Sequence, residues 1–152
     1  MAQQVTITID LGELRTLAAA ELYKWGEANR DDANYQRIYE LQYSKGDNVD
    51  ATLLALYAEQ RSERIADATS EYLTRYSKSG DSVSYTLTLP SGWNAKTFAS
   101  LAKLFRDYVT DGAAGDWLTH AGAEQGKVFN AKAIEHAIGI QRNIYHKNST
   151  IS

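Results

Sequence analysis

Apolar and polar residues alternate near the N-terminus. Val5, Ile7, Ile9 and Leu11 interleave with Thr6, Thr8 and Asp10, the period of two that marks a half-buried strand. The period then changes. Leu14, Leu17, Ala18, Leu22 and Trp25 recur at three- and four-residue intervals, so residues 12–29 read as an amphipathic helix with Asp10 placed to cap it. A second helix is expected at about 33–44, with Tyr35, Ile38, Tyr39 and Tyr43 on one side, before a turn at "SKGDN". Beyond that turn, where Asn48 or Asp50 can cap, the longest periodic segment runs to about Lys78. Its stripe is Leu53, Leu54, Tyr57, Arg61, Ile65, Ala68, Tyr72, Leu73 and Tyr76. Twenty-eight helical residues would span roughly 42 Å, the length of a spine for the fold. Arg61 interrupts this stripe midway, so either its guanidinium reaches out or the helix bends there.

The alternation returns once. Val83, Tyr85, Leu87 and Leu89 alternate with Ser82, Ser84, Thr86 and Thr88, and Pro90, the only proline, ends the strand. Asn94 can then cap a helix carrying Phe98, Leu101, Ala102, Phe105, Tyr108 and Val109. Gly112 and Gly115 either break this helix or let another backbone come close. A last helix at about 128–146 carries Val128, Ala131, Ile134, Ala137, Ile138, Gln141 and Tyr145, and the tail NSTIS is expected to fray. The expectation is a mostly α fold, a single domain over 1–152. It has four to five helices and a small two-stranded β ribbon from residues about 5–11 and 82–89.

Composition narrows the classes. The chain has 152 residues, 43% of them hydrophobic and 23% charged, an ordinary balance for a folded domain. Without cysteine it has no disulfide and no thiolate chemistry. No apolar run reaches the ~20 residues that span a bilayer. The N-terminus lacks the basic and apolar regions of a signal peptide, so a soluble protein made in the cytoplasm is expected. The net charge of −3 gives nucleic acid little attraction. Residues 1–81 hold 9 Lys/Arg against 14 Asp/Glu and residues 82–152 hold 7 against 5, an asymmetry that would allow head-to-tail association.

Candidate chemistry is sparse. His120, His136 and His146 show no metal-ligand spacing, and a lone helical histidine reads as a surface or satisfied residue. Asp107 and Asp111 would share a helix face, as an acid pair or Mg²⁺ site needs, but Lys103 and Arg106 stand beside them. Asp47, Asn48 and Asp50 resemble half a calcium loop without its closing Glu. Neither a phosphate loop nor a nucleophile elbow is present. No catalytic residue, cofactor or metal is therefore assigned. Ten tyrosines and three tryptophans are the unusual feature; such rings sit at core edges, at interfaces, or stacked on bases.

Two strands alone are marginal in water. If they pair, the threonines line one face, while Val5, Ile7, Ile9, Tyr85, Leu87 and Leu89 face a helical layer. That ribbon would be a possible assembly edge, since it carries no lysine and no internal proline to discourage pairing with another chain.

The order of elements is itself informative. A Thr-alternating strand, "LPSGW", a helix with "LAKLFRDYVTDGAAGDWL" and a last helix with "AIEHAIGIQRNIYHK" together resemble small proteins of Bacteroidetes phages and prophages. In those the third segment tends to read Tyr-small-small-Trp, as around Tyr108 to Trp117, and the final helix ends in a basic, Tyr-containing turn like Arg142 to Lys147. Their N-terminal strand also runs directly into a helix, as "TITIDLGELRTL" does. Departures are the run Gly112–Gly115 and the absence of a proline after the final turn. The resemblance implies a helical head–tail connector or other virion-assembly component, non-enzymatic, acting through self-association or contact with other virion proteins. The opposing class is a small cytoplasmic enzyme or regulator whose site forms only in three dimensions. A weak nucleic-acid binder is the third.

Overall fold

Strand β1 (Gln3–Asp10) runs without a loop into helix α1 (Leu11–Ala28) because Asp10 ends one and caps the other. Its Oδ1 accepts the Glu13 backbone N–H at 3.0 Å, satisfying a donor that the first helical turn leaves free. The computed structural model describes residues 2–28, 34, 35, 37–39 and 49–145. Helical residues 35 and 37–39 follow α1, then come helix α2 (Val49–Ala68), strands β2 (Leu73–Ser79) and β3 (Ser82–Leu89), helix α3 (Phe98–His120) and helix α4 (Gly126–Tyr145). The protein is thus mostly helical with a small antiparallel sheet, as the periodicity predicts. Tyr43, the 44–48 turn and the 148–152 tail lie outside the described residues.

β1 and β3 pair antiparallel over eight uninterrupted positions, from Gln3↔Leu89 to Asp10↔Ser82. Thr6 and Thr86 hydroxyls meet at 3.2 Å, and those of Thr8 and Ser84 at 3.0 Å, on the exposed face. Ile7, Ile9, Tyr85, Leu87 and Leu89 are buried on the opposite face against the helices, and Val5 is half-buried there. Each such aliphatic side chain contributes about 1.5–3 kcal/mol by leaving water. Pro90 closes the strand, and its carbonyl accepts from Trp93 N at 2.9 Å. A single 3₁₀ turn (Ala95–Thr97), capped by the Asn94 side chain on Lys96 N, then leads into α3.

The ribbon has three strands, not two, in the order β1-β3-β2. The segment expected to complete a helix up to Lys78 instead forms β2, and α2 stops at Ala68, about 30 Å long rather than 42 Å. A register irregularity between Leu73 and Arg75 explains the misreading. A bulge inserts one residue, so Leu73 and Tyr76, three apart, share the helix-facing side that strict alternation would deny them. That three-residue interval imitates a helix. Gly80, with φ 61°, makes the two-residue turn to β3, the pattern of a type II′ hairpin.

Adding β2 also changes the expected assembly edge. Tyr85, Leu87 and Leu89 lie on the central strand, paired on both sides, and present no edge. Of the six edge residues expected, only Val5, Ile7 and Ile9 belong to an outer strand. The spine is likewise not α2. It is α3, packed against α1, α2, α4 and β1, with Leu101, Phe105, Val109, Ala113, Ala114, Trp117 and Leu118 buried.

Candidate functional site

The least expected feature of the helical layer is a buried cation. Arg61 sits mid-stripe on α2 and is 7% exposed. It neither reaches out nor marks a break, for α2 is continuous and the guanidinium turns inward. Its Nε and Nη2 donate to the two carboxylate oxygens of Asp116 on α3, both at 2.8 Å, the two-pronged geometry that suits Arg. Nη2 also donates to Asn130 Oδ1 on α4 at 2.9 Å, and Nη1 to the Tyr108 hydroxyl at 3.4 Å. One side chain therefore ties three helices. Burial disfavours the cation, but Asp116 and Tyr108 more than offset it and hold the Arg61 pKa above its ordinary value.

The small residues of "DGAAGDW" make this possible. A Cβ on Gly112 would stand 2.6 Å from Arg61 Cδ and Nε; one on Gly115 would stand 2.4 Å from Asn130 Oδ1 and 3.0 Å from its backbone N. Of the two roles open to these glycines, close approach is the one realised, and α3 runs through them unbroken. Trp117 lies on the same continuous helix. At the start of α2, Arg37 donates to both Asp50 oxygens, at 2.6 and 3.1 Å, and lies over the Trp117 ring at 5.1 Å.

The carboxylates considered for acid–base or metal work do not converge. Lys103 holds Asp107 at 2.5 Å, while Asp111 meets His136 Nε2 at 2.7 Å across α3 and α4. His136 is thus a satisfied histidine. Among the described residues no three His, Asp or Glu side chains stand close enough to hold a metal ion. No helix among them is long and apolar enough to cross a membrane.

Helix α4 turns much of its expected stripe outward. Of the described side chains in that stripe, Val128, Ala131, Ile134, Ala137, Ile138 and Gln141, only Ala137 packs against the core, while Val128 is 55%, Ile134 59% and Ile138 45% exposed. The buried face is Phe129, Ala133, Ile140 and Ile144, with the half-buried Asn130 and His136 beside them. Those two polar residues dilute the inner face, so the outer one looks the more hydrophobic. Their partners, Arg61 and Asp111, offset the cost of that partial burial. Beside the outer stripe, a shallow groove of about 220 Å³ opens between α2 and α4, lined by Ile65, Thr69, Tyr108, Ile134 and Ile138, with Arg61 at its wall.

Sequence reasoning singled out neither Arg61, Asp116 nor Asn130 as a site. The available signal was an arginine inside an apolar stripe together with two glycines one helical turn apart in another helix. Aromatic rings mostly serve the core: Tyr85 and Trp117 are fully buried, Trp93 and Tyr108 nearly so. No family model, curated protein or solved structure matches this chain.

Proposed function

We propose that the protein is a non-enzymatic structural subunit of a phage or prophage virion, a head–tail connector-like component that works by protein–protein assembly. The observation that carries the assembly reading is the outer stripe of α4. Val128, Ala131, Ile134 and Ile138 recur at helical spacing on α4 and are left exposed by the chain's own core. Exposed apolar residues clustered on one helix face mark surfaces that meet a partner. The polar network beneath it has the opposite character, since the described donors of Arg61 are directed at Asp116, Asn130 and Tyr108. It holds the helices that present the stripe. The virion assignment rests on the resemblance in element order, from the Thr-alternating strand through "LPSGW" to the basic end of the last helix.

Sequencing the gene neighbourhood, then co-expression with any portal, capsid and tail proteins it encodes and mass measurement of the purified product, tests the reading. The expected result is a stoichiometric complex that is lost in the Ile134→Glu/Ile138→Glu variant. A gene neighbourhood without portal or capsid genes, or a chain that binds none of their products, overturns it.

A further inference from the structure

The two outer strands of the sheet are built differently at their edges. β2 carries Arg75 and Lys78 and is interrupted by the bulge near Leu73, devices that deter another strand from pairing. β1 carries none of them. From Gln3 to Ile9 it has no charge, no proline and no irregularity, and its only ionised side chain is Asp10 at the end. Among the described residues, only β3 pairs with β1, so its second edge is unfilled. A strand this regular offers its outward N–H and C=O groups as a template.

We infer that this edge is the site of self-association: β1 of a second copy pairs with it antiparallel about a two-fold axis, joining two three-stranded sheets into one of six. The occupant follows from the sequence of the strand itself. Antiparallel partners point to the same face, so a register whose residue numbers sum to an even value keeps the solvent-facing side, Gln4, Thr6 and Thr8, against itself and the helix-facing side, Gln3, Val5, Ile7 and Ile9, against itself. The register centred on Thr6 sets Thr6 opposite Thr6, Gln4 opposite Thr8, Val5 opposite Ile7 and Gln3 opposite Ile9. It pairs seven residues on each side and leaves Asp10 beyond them. The two Asp10 carboxylates then lie about 27 Å apart along the strand direction, well past the screening length of ~8–10 Å. No like charges oppose each other anywhere in the paired segment. The half-buried Val5 gains an aliphatic neighbour on the helix-facing side. A contact of this kind is isologous and closes at two copies.

This inference does not depend on the virion reading or on the α4 stripe, and the experiment separates them. Sedimentation equilibrium of the full chain, from low micromolar to several hundred micromolar, should show the mass rising from 16.9 kDa toward twice that value. Thr6 is exposed on the solvent face, so Thr6→Lys leaves the core intact while setting two lysines opposite each other. It should weaken association at least about tenfold. Ile134→Glu/Ile138→Glu should leave the dimer unchanged.

Because the chain has no cysteine, register can be read chemically. Directly opposed residues have Cα atoms about 4.5–5.5 Å apart, within disulfide range, so Thr6→Cys should crosslink to itself on mild oxidation. Gln4→Cys alone should not, its two copies lying about 14 Å apart, whereas Gln4→Cys mixed with Thr8→Cys should. A wild-type mass that stays at 16.9 kDa, a Thr6→Lys chain that associates like wild type, or crosslinking of Gln4→Cys alone as fast as Thr6→Cys would overturn the inference.

Discussion

Helix α4 shows two faces that exchange the usual roles of polar and apolar residues. Its inner face holds the half-buried Asn130 and His136 among the buried Phe129, Ala133, Ile140 and Ile144; its outer face leaves Val128, Ile134 and Ile138 largely in water. Polarity alone does not decide which side goes in. A half-buried amide or imidazole costs little when a partner waits for it, and Arg61 and Asp111 are those partners. An apolar side chain without a neighbour costs little to fold as well, because the unfolded chain exposes it too. The inner face therefore concerns stability, and the outer face concerns what the folded protein meets.

The most damaging way to break this comparison is to remove the cation that the inner face is built around. Arg61→Ala leaves Asp116 without its bidentate partner and Asn130 without its donor, and should destabilise the fold by about 3–5 kcal/mol. Chemical denaturation of the variant measures it, and a loss below about 1 kcal/mol would mean the network is solvated rather than structural. Ile140→Ala comes next. The residue is fully buried on the inner face, so the deletion should cost about 2–4 kcal/mol by the same measurement.

Tyr85 supplies a smaller effect with a distinct pH signature. Its hydroxyl donates to Ser62 O at 2.9 Å, and burial, reinforced by Tyr76, pushes its pKa well above the ordinary tyrosine value. The sign follows from which state holds the proton. Above about pH 10 the unfolded chain releases it while the folded chain keeps it, so stability is intact below pH 10 and falls as pH rises further. Tyr85→Phe should lose about 1 kcal/mol at neutral pH and show a shallower alkaline decline than wild type. Denaturation midpoints at a series of pH values from neutral to strongly alkaline test both parts; equal slopes in the two proteins would remove Tyr85 as the cause.

What could be read in advance divides along the same line. The strands at β1 and β3 and the Asp10 and Asn94 caps were legible because each rests on local period or local hydrogen bonding; that the strands would pair was legible only from their matching Thr alternation. β2 was not, because its bulge gives Leu73 and Tyr76 a helical interval. The inner face of α4 was not, because Asn130 and His136 become acceptable inside only through residues 69 and 25 positions away in sequence. Arg61 was visible as an anomaly in its stripe, but an arginine reaching solvent and one buried against an aspartate look alike until α3 is set beside α2. Pattern reveals periodicity; it does not reveal a partner brought by another helix.

The outer face of α4 gives the smallest effect on stability and the sharpest contrast. Ile138→Glu replaces a half-exposed apolar side chain with a charged one on the solvent side of the helix, so the unfolding free energy should move by no more than about 0.5 kcal/mol. The Ile134→Glu exchange should behave the same way, since that residue is the more exposed of the two. Set against Ile140→Ala, two positions further along the same helix, Ile138→Glu contrasts the outer face with the inner one. Binding should respond in the opposite order: a partner seated on the stripe must bury a carboxylate with no counter-charge, while an Ile140→Ala chain that remains folded presents an unaltered surface. Parallel denaturation and binding titrations of the two variants would therefore separate the faces. If Ile138→Glu costs as much stability as Ile140→Ala, the outer stripe is part of the core after all, and the assembly reading loses the observation that carries it.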